Sequence, residues 1–188
     1  DKIVSQLKTF KNSINRVEFK ISEELKISAT DVLKIGDFNK VTEIKDSILN
    51  YNRLNPNLNF DSFMSGSSNE IALSSSKKVC EQISRYNPLY IYGGVGLGKT
   101  HLLNSIGLEL EKKTNVMFIS AERFMYHFIK SIKKNDMVNF KDFFRKSSVF
   151  IIDDIQFIRG KEGLQEEFFH TFNSLMDKSS QIIISADR

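Results

Sequence analysis

The stretch Gly93-Gly94-Val95-Gly96-Leu97-Gly98-Lys99-Thr100 decides the fold of this 188-residue chain. It fits the pattern G-x-x-x-x-G-K-[S/T], in which a glycine-rich loop joins a β-strand to an α-helix and surrounds the phosphates of a nucleotide. An apolar strand is predicted immediately before the loop, and a helix with apolar residues at helical spacing follows it. Four of the nine glycines lie in this loop. We therefore predict a phosphate-binding loop.

Each residue type in the loop has a defined part in phosphate binding. Glycines let backbone N–H groups point inward at phosphate oxygens, and the following helix adds the positive end of its dipole. Lys99 would neutralise the β- and γ-phosphates, and Thr100 would hold Mg²⁺. The alternative is a glycine-rich turn with a chance lysine, which the flanking strand and helix make the weaker interpretation.

Two further motifs end the later strands. The apolar run at residues 149–152 leads into Asp153 and Asp154, and neighbouring strand residues point to opposite faces. Asp153 would accept a hydrogen bond from a Mg²⁺-bound water, whereas Asp154 would orient the attacking water. Alone, such a pair also fits a helix cap. Asp187 ends the next strand, at the sheet edge where ligands bind, and is a candidate γ-phosphate sensor.

The chain after Pro56 alternates helical and apolar extended segments, which is typical of an α/β domain with a parallel sheet flanked by helices. Strands are predicted at residues 89–92, 116–120, 149–153 and 181–185, and helices at 101–113, 122–134 and 162–178. We expect the Phe and Leu stripes of these helices to form the core.

Composition excludes several classes of protein. The longest apolar stretches fall far short of the ~20 residues of a membrane-spanning helix. One cysteine, Cys80, cannot form an intramolecular disulfide, and the three histidines form no metal-spaced pair, so we expect a cytoplasmic protein. No Ser-His-Asp or Cys-His arrangement indicates covalent catalysis. The chain begins at Asp1 rather than Met, which we interpret as a fragment.

The formal net charge is +4, from 27 Lys and Arg against 23 Asp and Glu, which permits contact with nucleic acid without requiring it. One local cluster of basic residues stands out in residues 130–146. It consists of Lys130, Lys133, Lys134, Lys141, Arg145 and Lys146. A solvated helix face is the ordinary interpretation of such a run.

Residues 55–188 closely resemble the AAA+ domain of the bacterial replication initiators of the DnaA family. Beside the phosphate loop, the resemblance lies in residues 54–69, in Asp153-Asp154-Ile155-Gln156-Phe157 and in Gln165-Glu166-Glu167-Phe168-Phe169-His170-Thr171-Phe172-Asn173. It implies an AAA+ core with strand order 1-4-3-2, truncated after the sensor strand that carries Asp187. Residues 1–21 then match the end of a small α/β N-terminal interaction domain, residues 22–53 a flexible linker, and residues 54–188 the ATP-binding domain.

The resemblance also implies roles for residues. ATP and Mg²⁺ are the expected cofactors, with Asn55 and Phe60 in the adenine pocket. The expected nucleotide-binding set is Asn55, Phe60, Gly93, Gly94, Val95, Gly96, Leu97, Gly98, Lys99, Thr100 and His101. Thr100 and Asp153 would hold the metal. The expected catalytic set is Lys99, Asp153, Asp154 and Asp187.

Partners follow from the same resemblance. The helices at residues 122–146 would contact single-stranded DNA, and a C-terminal domain beyond this chain would bind duplex origin DNA. Self-association on the origin, a replicative helicase and acidic phospholipids complete the expected partners. The parent protein would hydrolyse ATP slowly, and this chain hardly at all, since the arginine finger lies elsewhere. The alternatives are a DnaC-type helicase loader or a DnaA-related regulatory ATPase, and an interaction module with a vestigial site.

Overall fold

A computed structural model describes residues 54–187, so the predicted N-terminal remnant at 1–21 and the linker at 22–53 lie outside the described residues. The elements, in chain order, are α1 (Glu70–Glu81), β1 (Leu89–Tyr92), α2 (Lys99–Glu111), β2 (Val116–Ser120), α3 (Ala121–Lys133), α4 (Met137–Arg145), β3 (Val149–Asp153), the 3-10 turn η1 (Ile155–Ile158), α5 (Glu162–Asp177) and β4 (Gln181–Ala186).

The four strands form one parallel sheet in the order β1-β4-β3-β2. The predicted α/β class, the strand order and the four strand positions are confirmed, with β4 one residue longer than expected. Ile151 of β3 is in register with Phe118 of β2 and with Ile183 of β4. Because all strands are parallel, their carboxyl ends meet at one edge, and the loops that carry the three motifs start there.

The central strands separate two apolar cores. Every residue of β3 and β4 is buried, as expected for parallel strands covered on both faces. Along β3, Val149 and Ile151 face one core, whereas Phe150 and Ile152 face the other. Helices α1 and α2 cover the first face and α3, α4 and α5 the second, which gives three layers.

The first core is built on α2, whose apolar residues recur at helical spacing and are almost fully buried. They are Leu102, Leu103, Ile106 and Leu110. In the second core, Phe124 packs against Phe140 and Phe144 with ring centroids 5.4 and 4.9 Å apart. The α2 stripe and Phe124 were predicted as core, and both predictions are confirmed.

One Phe of the stripe predicted on α5 is exposed. Phe169 is 59% exposed, because the buried positions of α5 are Leu164, Glu167, Thr171 and Leu175, which lie on a different face of the helix. On α5 the buried stripe includes two polar residues, Glu167 and Thr171. Glu167 forms an ion pair with Lys141 of α4 at 3.2 Å, so a tertiary partner compensates part of its burial.

The sheet has an exposed margin at β1. This strand pairs with β4 alone, and Tyr90 and Tyr92 are 53% and 63% exposed with their rings stacked 5.8 Å apart. The expectation that the first strand lies at the edge is confirmed for the described part of the chain. Within residues 54–187, no helix has the length and apolarity needed to cross a bilayer.

Candidate nucleotide-binding site

The loop between β1 and α2 has the backbone of an anion-binding loop. Gly96 and Gly98 have φ angles of 80° and 84°, in the left-handed region that side chains with a Cβ rarely adopt. Helix α2 begins at Lys99 with Gly98 as its N-cap, and no side chain caps it. The first-turn N–H groups of α2 therefore remain available to an anion beside the loop.

Lys99 lies folded back into the loop. Its ammonium donates to the carbonyl oxygens of Gly93 at 3.0 Å and Gly94 at 2.8 Å, and it pairs with Asp187 Oδ1 at 2.7 Å. The side chain is only 8% exposed. A charged amine so buried requires such acceptors, and the same position brings it beside the cavity that a phosphate chain would fill.

The cavity has a volume of about 340 Å³ and lies at the carboxyl edge of the sheet. Its lining combines loop backbone with one cation, one hydroxyl and two carboxylates. The lining residues are Val95, Gly96, Gly98, Lys99, Thr100, Asp154 and Asp187. Five of these seven belong to the phosphate loop, and the other two come from the ends of β3 and β4, as the parallel topology requires.

Asp153 and Asp154 differ in backbone as well as in environment. Asp153 ends β3 and is 6% exposed, and its carboxylate accepts a short hydrogen bond from the Ser185 hydroxyl. Asp154 lies beyond the strand with φ 58°, so the expected alternation of two strand residues is wrong for this pair. The left-handed turn, rather than strand pleating, places Asp154 in the cavity wall. Its N–H donates to Ser185 Oγ at 2.8 Å.

Gln156 links the two cavity carboxylates and was not predicted. Its Nε2 lies 3.1 Å from both Asp154 Oδ1 and Asp187 Oδ2, and its Oε1 accepts the Asp187 N–H at 3.0 Å. Burial raises the pKa of Asp154, the carboxylates of Asp153 and Asp187 raise it further, and the Gln156 hydrogen bond lowers it. Its position two residues after Asp154 is the sequence signal that distinguishes Gln156 from the other glutamines.

The segment at residues 55–63 lies against α2. Asn104 accepts the Asn55 N–H at 2.8 Å and donates to the Asn55 carbonyl at 2.9 Å. His101 Nε2 lies 2.9 Å from the Asn59 carbonyl, and its ring meets Phe63 edge-on at 5.2 Å. A Cβ on Gly98 would come within 3.0 Å of Phe63, so the segment also approaches the phosphate loop.

The predicted nucleotide-binding residues thus fall into two neighbouring groups. One lines the cavity, and the other, with Asn55 and His101, joins residues 55–63 to α2. Phe60 is half-buried against the first core, with the Lys77 ammonium 5.9 Å from its ring. Leu97 is 61% exposed at the loop surface. Gly93 and Gly94 contribute carbonyl oxygens to Lys99 rather than lining the cavity.

The basic cluster lies on α3 and α4 and at their ends, and it is not uniform. Lys141 is committed to the buried Glu167, which removes it from the set available to a nucleic acid. Lys130 and Lys134 line a second cavity of about 270 Å³ together with Phe143. Phe143 is 37% exposed, so an aromatic face lies beside these lysines.

Comparison with known proteins identifies the family. The model of the bacterial DnaA ATPase domain matches residues 54–188. The chromosomal replication initiator protein DnaA of Ruegeria sp. strain TM1040 is 45% identical over 174 residues, covering 89% of this chain and 37% of the relative. The DnaA protein of Rickettsia canadensis is 41% identical over 196 residues, covering 99% of this chain and 42% of the relative. The chain therefore spans about two fifths of these relatives.

Solved structures agree with these relatives. DnaA bound to AMPPCP and single-stranded DNA superimposes with a TM-score of 0.70 at 38% identity, covering 72% of this chain and 43% of that one. Domain III of DnaA from Thermotoga maritima superimposes with a TM-score of 0.70 at 45% identity, covering 72% of this chain and 58% of that one. The DnaC helicase loader, at 20% identity and a TM-score of 0.62, shares the fold alone. The chain belongs to the DnaA family of bacterial chromosomal replication initiators.

Proposed function

We propose that this chain is the ATP-binding part of a replication initiator that acts as a nucleotide-dependent switch. The observation that carries the proposal is the position of Lys99, which joins the phosphate loop to Asp187 beside a cavity of about 340 Å³. In the related structure bound to AMPPCP, the ligand is an ATP analogue. Backbone N–H groups of the loop and the Lys99 ammonium would bind the phosphates.

The cavity offers donors that suit a magnesium ion, because the Thr100 hydroxyl and the Asp154 carboxylate line it and Mg²⁺ prefers oxygen ligands. Asp153 is not among the lining residues, and its buried carboxylate accepts a hydrogen bond from the Ser185 hydroxyl. We assign Thr100 and Asp153 as the residues that would hold the ion. When bound, Mg²⁺ would neutralise phosphate charge. Asp154 would orient water, and Asp187 would sense the γ-phosphate indirectly, because a carboxylate cannot donate to a phosphate oxygen.

The adenine pocket is proposed at residues 55–63, where Asn55, Phe60 and His101 would shape the base site. Two bonds to Asn104 and the contact between Phe63 and His101 hold this segment beside α2, next to the phosphate loop. The planar faces of the Phe63 and His101 rings suit a purine ring, whereas the cavity lined by the phosphate loop suits the phosphates.

We propose partners on the same basis. A related initiator binds single-stranded DNA, and the α3–α4 surface with Lys130 and Lys134 would do so here. Self-association on the origin, duplex binding by a C-terminal domain, a replicative helicase, acidic phospholipids and a cytoplasmic location belong to the proposed parent protein. We also propose the division into an N-terminal remnant at 1–21, a linker at 22–53 and the ATP-binding domain at 54–188.

Hydrolysis by the purified chain should be slow. No arginine lines the described cavity, and an arginine finger supplied by a neighbouring molecule can contribute about 10³-fold or more. A steady-state rate near that of an ordinary enzyme, about 10 per second, would contradict this proposal.

Titration calorimetry with ATP, ADP and GTP in the presence of Mg²⁺ tests the function directly. We expect ATP and ADP to bind, GTP to bind more weakly, and removal of Mg²⁺ with EDTA to weaken ATP binding. A chain that melts cooperatively yet gives no heat with ATP would exclude a working nucleotide site and favour the interaction-module alternative.

A further inference from the structure

Gln156 has every hydrogen-bonding group of its amide in use. The side chain lies on η1, directly after the left-handed turn at Asp154. Its two N–H donors meet two carboxylates, Asp154 and Asp187, and its oxygen accepts the Asp187 N–H. These partners fix the orientation of the amide. If the amide nitrogen and oxygen exchanged places, the NH₂ group would face the Asp187 N–H and the oxygen would face the two carboxylates, and none of these contacts is a hydrogen bond.

This amide stands between two negative charges that share one cavity. Asp154 and Asp187 each have an oxygen 3.1 Å from the same nitrogen, so their mutual repulsion is offset by the donor between them. Asp187 has a second partner, the Lys99 ammonium at 2.7 Å. A continuous path of contacts therefore runs from the phosphate loop through Asp187 and Gln156 to Asp154.

Resting on the proposed function, we propose that Gln156 is a positioning residue for nucleotide hydrolysis, which holds the Asp154 carboxylate and couples it to the Lys99–Asp187 pair. In that reaction a water oxygen bonds to the γ-phosphorus while the bond to the bridging oxygen breaks. The bridging oxygen leaves on ADP with the electron pair, and the water proton passes through the Asp154 carboxylate to solvent.

The Gln156 amide fixes the direction of the Asp154 carboxylate through its Nε2 donor. The same nitrogen reaches Asp187, so removing the amide would leave the two carboxylates without the donor that lies between them. Asp154 would then lose the contact that orients it in the cavity wall.

Single-turnover hydrolysis of prebound ATP by the 188-residue chain, with ATP affinity measured in parallel, tests the inference. Gln156→Met is nearly isosteric and lacks the hydrogen bonds, Gln156→Asn keeps an amide that is one methylene shorter, and Gln165→Met changes an exposed glutamine of α5 as the control. We expect both Gln156 variants to keep ATP affinity within about threefold and to hydrolyse the bound ATP at least tenfold more slowly. Gln165→Met should match the unchanged chain.

Three outcomes would overturn the inference. Wild-type hydrolysis rates in both variants would show that the amide does not position Asp154. A parallel loss of ATP affinity and rate would assign Gln156 a merely structural role. ATP binding without cleavage by the unchanged chain would leave the binding function standing and remove the role of Gln156. Absence of ATP binding by the unchanged chain would instead refute the proposed function itself.

Discussion

Lys99 Nζ lies 2.7 Å from Asp187 Oδ1, and this ion pair joins the start of α2 to the end of β4. With the carbonyl oxygens of Gly93 and Gly94, Asp187 gives the lysine three acceptors. A phosphate chain bound to the loop would take over part of this coordination. The pair therefore holds the lysine beside the cavity.

Lys99→Ala should lower ATP affinity at least tenfold, because one charge-assisted contact to phosphate contributes about 1.5–3 kcal/mol. Calorimetry at fixed Mg²⁺ measures the change. Lys112→Ala is the matched control, since Lys112 lies just beyond α2 and is exposed, and it should bind ATP like the unchanged chain. Equal affinities of the two variants would contradict the assignment of Lys99.

The ion pair should also stabilise the fold. Asp187→Asn leaves the buried Lys99 ammonium with neutral acceptors only, so we expect the free energy of unfolding to fall by about 1–2 kcal/mol. In a double-mutant cycle, the same change should cost much less in a Lys99→Ala background. Glu109→Gln, which breaks exposed pairs with Lys112 and Lys113, should leave the free energy of unfolding almost unchanged. Additive effects at Lys99 and Asp187 would refute the coupling.

Features of the fold that depend on local sequence patterns could be predicted from the sequence. The strands, the α2 stripe and the left-handed glycines of the loop follow from short runs of residues, and the structure has them in the expected places. The Gln156 contact with Asp187 joins residues 31 positions apart, and the bond between His101 and Asn59 spans 42 positions. Such pairs arise only once the sheet brings strand ends together, so no local pattern indicates them.

Two errors have the same physical origin. The alternation of strand residues was extended from Asp153 to Asp154, but the chain turns left-handed directly after Asp153, and the Asp154 N–H donates to Ser185 Oγ. On α5, apolar spacing predicted Phe169 in the core, whereas the helix turns Glu167 inward because Lys141 of α4 lies opposite it. Apolar periodicity takes no account of a charged partner from another helix.

Glu167 gives a prediction about stability. Its Oε1 is buried without a hydrogen-bond partner, and its Oε2 depends on Lys141 at 3.2 Å. Lys141→Met should lower the free energy of unfolding by about 1–3 kcal/mol, because it leaves a buried carboxylate without its cation. The double variant Lys141→Met with Glu167→Leu should recover most of the loss.

Chemical denaturation of these variants, with the exposed Lys146→Met as the control, provides the measurement. Lys146 follows α4 by one residue and should tolerate the change. A double variant that is less stable than Lys141→Met alone would show that the charges, rather than their burial, stabilise the contact between α4 and α5.

His127 should make stability depend on pH. Burial on α3, together with the charges of Lys130 and Arg123, lowers its pKa from 6.5 to about 4. The folded state thus favours neutral imidazole, so this stabilisation is present above pH 6.5 and is lost as the pH falls towards 4. Between these values the Tm of the unchanged chain should fall more steeply than that of His127→Gln.

Differential scanning fluorimetry across about pH 4–7 follows both chains, with His170→Gln as the control because His170 is exposed on α5. That control should keep the slope of the unchanged chain. Parallel curves of Tm against pH for the unchanged chain and His127→Gln would show that another group causes the loss of stability at low pH.

The last prediction concerns single-stranded DNA at the α3–α4 surface. Replacing Lys133, Lys134 and Lys146 by Glu should abolish the retention of a single-stranded oligonucleotide at low salt, because binding through phosphates depends on positive charge. Lys141 is left unchanged, since its removal would destabilise the packing around Glu167 rather than report on DNA. The matched control replaces three lysines on the opposite face of the sheet, where Lys78 lies on α1 and Lys112 and Lys113 directly follow α2.

The two triple variants carry the same change in net charge, so a general electrostatic effect would weaken both equally, whereas a local site weakens only the first. Removing one phosphate interaction should lower the slope of log affinity against log salt by about 0.7. Phe143→Ala then separates charge from stacking, because the exposed ring beside Lys130 and Lys134 should contribute about 1–3 kcal/mol if a base stacks on it. Unchanged binding by Phe143→Ala, together with abolished binding in the first triple variant, would mean that this surface recognises the DNA backbone alone.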